Sequence, residues 1–450
     1  MRVNQSLNFD TSLGLFAEAL TAVLGISFIV DGWIIRNAQG QLALVSSKNI
    51  PAEQCQKANE AAVTAVGPYC FQNAIVFLSS PGVKRLIEGA HSYQVEQNLL
   101  GQDALLKIVD QRIVGADWLI APAMKNADSI PRFTFASMKG GVGRTTALAV
   151  AATDLAAAGR KVLVIDLDLE APGIGAMMLS ANELPKYGLL DGYVESALSN
   201  IDDDLFFDML APSPFGRGRG LIDVVPAVGR NSNAHPANVL AKLARAYVES
   251  ALPSGEIINF SAQTRKIIDR FASFKQYDFI LIDARAGLNE STAAALLGLG
   301  AQVLLFGEDT PQTFSDYRYL LSHLSRFPRD EKNDWLYRFK MVHAKASADA
   351  KRQQAFRDKA FDIFREFLYR ENDLSENPSD PDGSSVGMLE FSLDDDLAPH
   401  GAIPILRDSR YFEFDPLSDP DQLVDSVYEA IYRPLLSYLK QSEIVSNPII

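Results

Sequence analysis

The sequence predicts an α/β protein: a mostly parallel, doubly wound sheet over residues 129–442, preceded by a smaller α+β domain over residues 1–128. Three observations predict it. From Arg132 onward, short apolar runs of strand length alternate with longer runs of helix length, the pattern of successive strand–helix units. Within that alternation Val162-Leu163-Val164-Ile165 is apolar throughout, as in a strand covered on both faces. Ahead of it, Ala121 to Pro131 carries two prolines among polar residues and reads as a linker.

In the first domain a helix is expected over Thr11 to Leu24, passing through Gly25 into a buried strand. Ser27 to Ile35 and Gln41 to Ser46 read as strands joined by a hairpin at Asn37-Ala38-Gln39-Gly40. A helix near Ala52 to Val66 and a short strand Ala74 to Leu78 follow, and then a second hairpin from Leu105 to Val109 and Ile113 to Ile120. The apolar run Ala19 to Val30 is only 12 residues long, is flanked by Glu18 and Asp31, and lacks a basic leader. A spanning helix needs ~20 apolar residues and a signal peptide needs positive charge ahead of its apolar run, so a soluble, cytoplasmic chain is expected. No glycine loop, His/Cys cluster or carboxylate pair gives this domain a chemistry.

In the second domain the strands are Phe133 to Ser137, Lys161 to Asp166, Ile222 to Pro226, Tyr277 to Asp283, Gln302 to Phe306, Phe339 to His343 and Ala402 to Leu406. Helices lie after the first strand to Ala158, near Pro236 to Ser250, Ala262 to Phe274, Glu290 to Leu297 and Gln312 to Ser325, and over Asp419 to Gln441. Two excursions interrupt them, at about 179–220 and 346–386. The first holds Phe215-Gly216-Arg217-Gly218-Arg219-Gly220, which reads as a solvated loop or a phosphate contact. The second opens with a helix to about Arg370 whose stripe of Phe356, Ala360, Ile363, Phe364, Phe367 and Leu368 at helical spacing serves either the core or a partner. Residues 372–385, rich in Asp, Ser, Pro and Asn, read as a mobile loop.

Composition bounds the function. Hydrophobic residues make up 47% and charged residues 22%, a globular balance, with a formal net charge of -14. That charge disfavours nonspecific binding to DNA or anionic lipid. Two cysteines, Cys55 and Cys70, imply neither a disulfide framework nor a thiolate metal site.

Three segments carry chemistry. Phe133 to Ser137 leads into Met138-Lys139-Gly140-Gly141-Val142-Gly143-Arg144-Thr145-Thr146 and then a helix-like run. Strand, glycine loop and helix in that order let backbone N–H groups and a helix N-terminus converge on a phosphate. The common pattern G-x-x-x-x-G-K-[ST] fails twice, with Met138 in place of its first Gly and Arg144 in place of its Lys. The second segment, Asp166-Leu167-Asp168-Leu169-Glu170-Ala171-Pro172-Gly173, clusters carboxylates just beyond a buried strand, where open α/β sheets bind their ligands. The third, Phe279-Ile280-Leu281-Ile282-Asp283-Ala284-Arg285-Ala286-Gly287, ends an apolar run in Asp.

Together these segments resemble the ParA/MinD family of P-loop ATPases, whose deviant Walker A loop reads Lys-Gly-Gly-x-Gly-Lys-Thr-Thr. The resemblance spans roughly residues 132–440. It implies ATP and Mg²⁺ as cofactors, with the phosphates wrapped by the amides of Lys139, Gly140, Gly141, Val142, Gly143, Arg144 and Thr145. Thr145 and Asp283 would then serve Mg²⁺ with Asp166 in support, and Thr146 would meet the α-phosphate. Asp168 would position the attacking water, and the Gly287 amide would read the γ-phosphate. Pro404, in Gly401-Ala402-Ile403-Pro404-Ile405-Leu406-Arg407-Asp408, would lie beside the base, and Met341-Val342-His343-Ala344-Lys345 lacks the Asn that relatives place there. Arg285, where the family has Asp-x-Pro, senses a phosphate or a partner, or forms a surface ion pair. Lys139 matches the signature lysine that reaches into a partner subunit's nucleotide, so a nucleotide-sandwich homodimer is implied. Arg144 keeps the loop's charge in a longer, planar group with a geometry different from lysine's.

The chain lacks the cysteines of the family's iron proteins, the basic membrane helix of the MinD type and the tyrosine-rich tail of the bacterial kinases. The Lys-Gly-Gly-Val-Gly-Arg wording resembles a bacterial subgroup of regulatory or defence-like systems. The expectation is therefore an ATP-hydrolysing switch coupled to a partner protein through the N-terminal domain or the 346–370 helix. A nucleotide-holding scaffold without turnover and a DNA-partition ATPase are the alternatives.

Overall fold

Gly25 and Gly32 decide how the first unit begins. The computed structural model describes residues 7–89, 92–112, 114–124, 130–198, 203–216, 220–251, 257–330, 334–372 and 388–446, and the chain divides into two compact units, Met1–Ile120 and Ala121–Ile450. Asn8 caps the helix Phe9–Leu24 through a capping box with Thr11. Gly25, at φ 87°, stops that helix, and the chain restarts at once as a second helix, Ile26–Asp31. The strand expected from Ser27 therefore begins only at Trp33: the glycine's left-handed conformation breaks one helix without setting up an extended run.

The first unit's five-stranded sheet runs in the order Cys70–Phe77, Leu42–Ser46, Trp33–Arg36, Gln102–Asp110, Ser92–Leu99. The Asn37–Gly40 turn joins an antiparallel pair as expected. The second hairpin lies earlier than expected, between Ser92–Leu99 and Gln102–Asp110, turning at Leu100 (φ 52°) and Gly101 (φ 89°). Ser92–Leu99 is an edge strand with Gln94, Glu96 and Asn98 facing solvent, so its apolar signal is thin. Of the expected partner segment, Ile113 lies outside the described residues and Ala116–Leu119 forms a 3₁₀ turn. Phe16, Leu20, Leu44, Leu106 and Ile108 are in the core between sheet and helices.

In the second unit eight strands lie in one sheet, in the order Ile403–Leu406, Phe339–Ala346, Gln302–Gly307, Arg132–Ser137, Phe279–Asp283, Lys161–Asp166, Leu221–Val225, Ala211–Pro212. All neighbours are parallel except the last pair. The fold is thus the mostly parallel α/β sheet that the alternation predicts. Its central strand, Arg132–Ser137, feeds the glycine loop, so the loop opens at the carboxyl ends of the strands, where such sheets place their ligands.

The loop helix Arg144–Ala157 is buried along nearly all its length, with Ala147 to Ala152 wholly covered. The helix Asp425–Ser446 covers it with Tyr428, Ile431, Tyr432, Leu435 and Leu439, and Lys440 pairs with Asp154. The first excursion contains helices Leu189–Leu198 and Asp203–Asp208. Its Arg217-Gly218-Arg219 lies outside the described residues.

The second excursion decides between two expectations for its stripe. In the helix Ala350–Phe367, Phe356, Ala360, Ile363 and Phe364 are buried, Phe356 lies 5.2 Å from Phe314 of the helix Pro311–Leu324, and His343 stacks on it at 4.0 Å. Apart from the half-buried Phe367, the apolar stripe is spent on the core. Residues 373–387 lie outside the described residues, but their flanks are held. Glu371 and Asn372 pair antiparallel with Leu389 and Met388, and Arg329 binds Asp334, Glu390 and the Leu368 carbonyl. Among the described residues no helix is long and apolar enough to cross a membrane.

Candidate functional site

The loop's shape follows from its glycines. Gly141 (φ 76°) and Gly143 (φ 87°) adopt the left-handed conformation that side chains disfavour. Gly143 is the N-cap of the loop helix and supplies no side-chain cap of its own, so the helix's first amides stay open to an anion. A Cβ at Gly140, Gly141 or Gly143 would meet nothing within 4 Å; these glycines border open space, and the loop is a cradle. Ser137 steadies its start by donating from Oγ to the Lys139 carbonyl at 2.9 Å. Lys139 itself is exposed.

Beneath the cradle the two carboxylate strands meet. Asp166 and Asp283 end neighbouring parallel strands and lie opposite each other in register. Thr145 donates from Oγ1 to Asp283 Oδ2 at 2.8 Å. Asp166 accepts from the Asp168 and Gly173 amides at 3.1 and 3.3 Å, and Asp168 accepts from the Ala171 amide at 3.2 Å. Asp166, Asp168 and Asp283 are all buried. Burial, and next the neighbouring Asp283 charge, push Asp166 well above the usual carboxylate range. Burial also raises Asp283, opposed by Arg144 and Thr145.

Residues 133–276 match the family model described as the CobQ/CobB/MinD/ParA nucleotide binding domain. This region is a CobQ/CobB/MinD/ParA nucleotide-binding domain. Solved structures similar to the chain include a ParA family ATPase from Chlorobium tepidum (16% identity, 69% of this chain and 99% of that one, TM-score 0.43). The MinD cell division protein of Aquifex aeolicus is 16% identical over 71% of this chain and 99% of its own, at TM-score 0.40. A cobyrinic acid a,c-diamide synthase from Mycobacterium smegmatis is 17% identical over 53% and 84%, at TM-score 0.36. No curated protein matches the chain.

The site departs from the expected one at three residues. Arg144 lines the cleft, but its guanidinium is already engaged within the protein. Its buried guanidinium donates from Nε to Asp283 Oδ1 at 2.8 Å, from Nη1 to Ser137 Oγ at 3.1 Å and from Nη2 to Asp168 Oδ2 at 3.3 Å. The long planar fork, where a lysine would offer one point charge, is what allows it to hold both carboxylates. The Gly287 amide, expected to face a phosphate, donates to the Ser137 carbonyl at 3.0 Å. Pro404 lies inside the last strand, opposite His343, and is not among the residues that line the cleft.

That cleft, of about 570 Å³, is lined by Gly141 to Thr146, Lys345, Arg407, Tyr411, Phe412 and Phe414. Sequence reasoning missed Lys345, Arg407 and the aromatic residues. Lys345 (φ 50°) turns out of its strand in a conformation rare for a residue with a Cβ. Its Nζ donates to the Gly141 carbonyl at 2.7 Å and pairs with Glu308 Oε1 at 2.8 Å. The one available signal was its place just past the end of the strand expected over Phe339 to His343. Arg285 pairs with Glu170 at 2.8 Å, which Tyr247 also contacts at 2.8 Å, so the ion-pair alternative describes it.

Among the described residues no cluster of three or more His, Cys, Asp or Glu could hold a metal ion by itself. The oxygen set of Thr145 and Asp283, backed by Asp166, fits a hard cation that takes most of its ligands from phosphate and water. Arg144 holds two of the three buried carboxylates, Asp168 and Asp283, while burial, and next the Asp283 charge, raises the third, Asp166.

Proposed function

We propose that residues 121–450 form an ATP-binding, ATP-hydrolysing switch that dimerises around nucleotide and couples its state to a partner protein. The observation that carries this reading is the convergence of the glycine cradle, the Thr145–Asp283 bond and the buried Asp166 and Asp168 at one end of the sheet. In it the loop amides and the open helix end bind the phosphates, and Asp168 orients water. Tyr411 and Phe412 offer flat apolar surface to a base. Mg²⁺, when bound, would be held by Thr145 and Asp283 and would neutralise phosphate charge. Exposed Lys139 is free to reach a second subunit's nucleotide, as the resemblance implies. The partner would be engaged through the N-terminal unit or through the polar face that the helix Ala350–Phe367 leaves exposed, since most of its apolar stripe is buried.

A second reading, a nucleotide-holding scaffold with little turnover, is favoured by Arg144, whose fork occupies Asp283 and the candidate water-positioning Asp168. ATP affinity, phosphate release and light scattering with ATP, measured on the wild type, Arg144→Lys and Asp168→Ala, separate the two. The switch predicts that Arg144→Lys frees Asp168 and speeds turnover about tenfold, while Asp168→Ala abolishes turnover and traps an ATP-dependent dimer. Binding without turnover or dimer in every variant would overturn the switch in favour of the scaffold. Absence of ATP binding would overturn both.

A further inference from the structure

A second cleft, of about 470 Å³, lies on the other side of Lys345. Glu308, Asp309 and Thr310 form one wall, and His343, Lys345 to Ala348, Arg352 and Arg407 form the other. Its charges do not balance. Glu308 is paired with Lys345 and Asp309 with Lys359, at 2.8 and 2.7 Å. Arg352 and Arg407 have no carboxylate partner among the described residues, and the Arg407 guanidinium lies 5.3 Å from the centre of the Phe412 ring. Two uncompensated guanidiniums at one cleft run against the chain's net charge of -14. His343, only 3% exposed, also lines the cleft, and its Nδ1 has no hydrogen-bond partner. A buried polar atom is rarely left so. Thr310 and Ser347 add hydroxyls, and no aromatic side chain but the His343 ring lines the walls.

We propose that this cleft binds a small dianion, a phosphate or a dicarboxylate, with Arg352 and Arg407 as its principal contacts. Guanidiniums recognise such groups through paired, charge-assisted hydrogen bonds. The site is linked to the phosphate loop by two shared residues. Arg407 and Lys345 line both clefts, and Lys345 bridges Glu308 in the second to Gly141 in the first. Two anions drawing on the same cations weaken each other's binding, and the effect is reciprocal. The linkage, unlike the dianion site, rests on the first cleft being the nucleotide site.

Equilibrium dialysis of radiolabelled inorganic phosphate and of malonate, with and without saturating ADP, tests this on the full chain. ADP binding is measured first by itself. With ADP present, one phosphate or malonate per chain should bind, and Arg352→Ala should weaken it at least tenfold. Arg352 lines only the second cleft, so ADP affinity in the absence of the anion should not change. Arg352→Lys, which keeps the charge but loses the fork, should restore part of the binding. Circular dichroism of both variants confirms folding. Whichever probe binds names the ligand's source. No binding of either probe below about 10 mM, which corresponds to a very weak site, would overturn the proposal, as would binding indifferent to Arg352→Ala. If ADP fails to bind but phosphate binding still depends on Arg352, the nucleotide reading falls and the dianion site stands.

Discussion

On the inner wall of the loop cleft, Arg144 is buried and its guanidinium is divided among Asp283, Ser137 and Asp168. At the rim, the Lys345 ammonium is exposed and bridges a carbonyl of the glycine loop to Glu308. Both cations serve the same loop under different physics. Inside, low dielectric makes each charge depend on its partners, and removing one strands the others. At the surface, water competes for every contact, and the pair is worth little to stability. The inner wall therefore fixes structure, while the rim is free to respond to what binds.

The largest expected effect breaks the inner wall. Asp283→Ala leaves Arg144 and Thr145 without their shared acceptor and should lower unfolding free energy by about 3–5 kcal/mol, read from the urea midpoint. A loss under about 1 kcal/mol would mean that the wall is no more committed than the rim.

A subtler test uses protons. Asp166 has a folded pKa above its unfolded value, so the folded state binds the proton more tightly. Its contribution to stability is therefore greatest at low pH and is lost as pH rises from roughly 4 through the raised folded value. Asp283, raised in the same direction, adds to the slope. Urea midpoints of the wild type should fall across this window, and Asp166→Asn should flatten the fall. An unchanged slope in the variant would remove Asp166 from the account.

The smallest effect lies at the rim. Lys345→Ala removes an exposed ion pair and should change stability by no more than about 1 kcal/mol, while ADP affinity falls a few-fold. A stability loss matching that of Asp283→Ala would erase the distinction.

Much of the second unit was legible in the sequence because its strands are covered on both faces and read as unbroken apolar runs. The runs ending at Ser137, Asp166 and Asp283 placed the loop and both carboxylates at one sheet end. The edge strand Ser92–Leu99 was not legible, since its outward residues are polar and its partner is set by a turn at Leu100. Within the site, the loop pattern names only Arg144's position, where a phosphate ligand is expected. Its side-chain direction depends on carboxylates 24 and 139 residues away. Lys345 meets Gly141 across 204 residues, and no local pattern encodes such a contact.

The clamp around Arg329 has a use beyond stability. Glu371–Asn372 and Met388–Leu389 run side by side, and Arg329 ties Leu368 and Glu390 together just outside them. The two ends that flank residues 373–387 thus lie side by side, and lengthening a connection between fixed ends costs only about 0.6 kcal/mol per doubling. The position between residues 372 and 388 is therefore a natural splice point. A fluorescent domain inserted there should leave the sheet, the loop and both clefts in place.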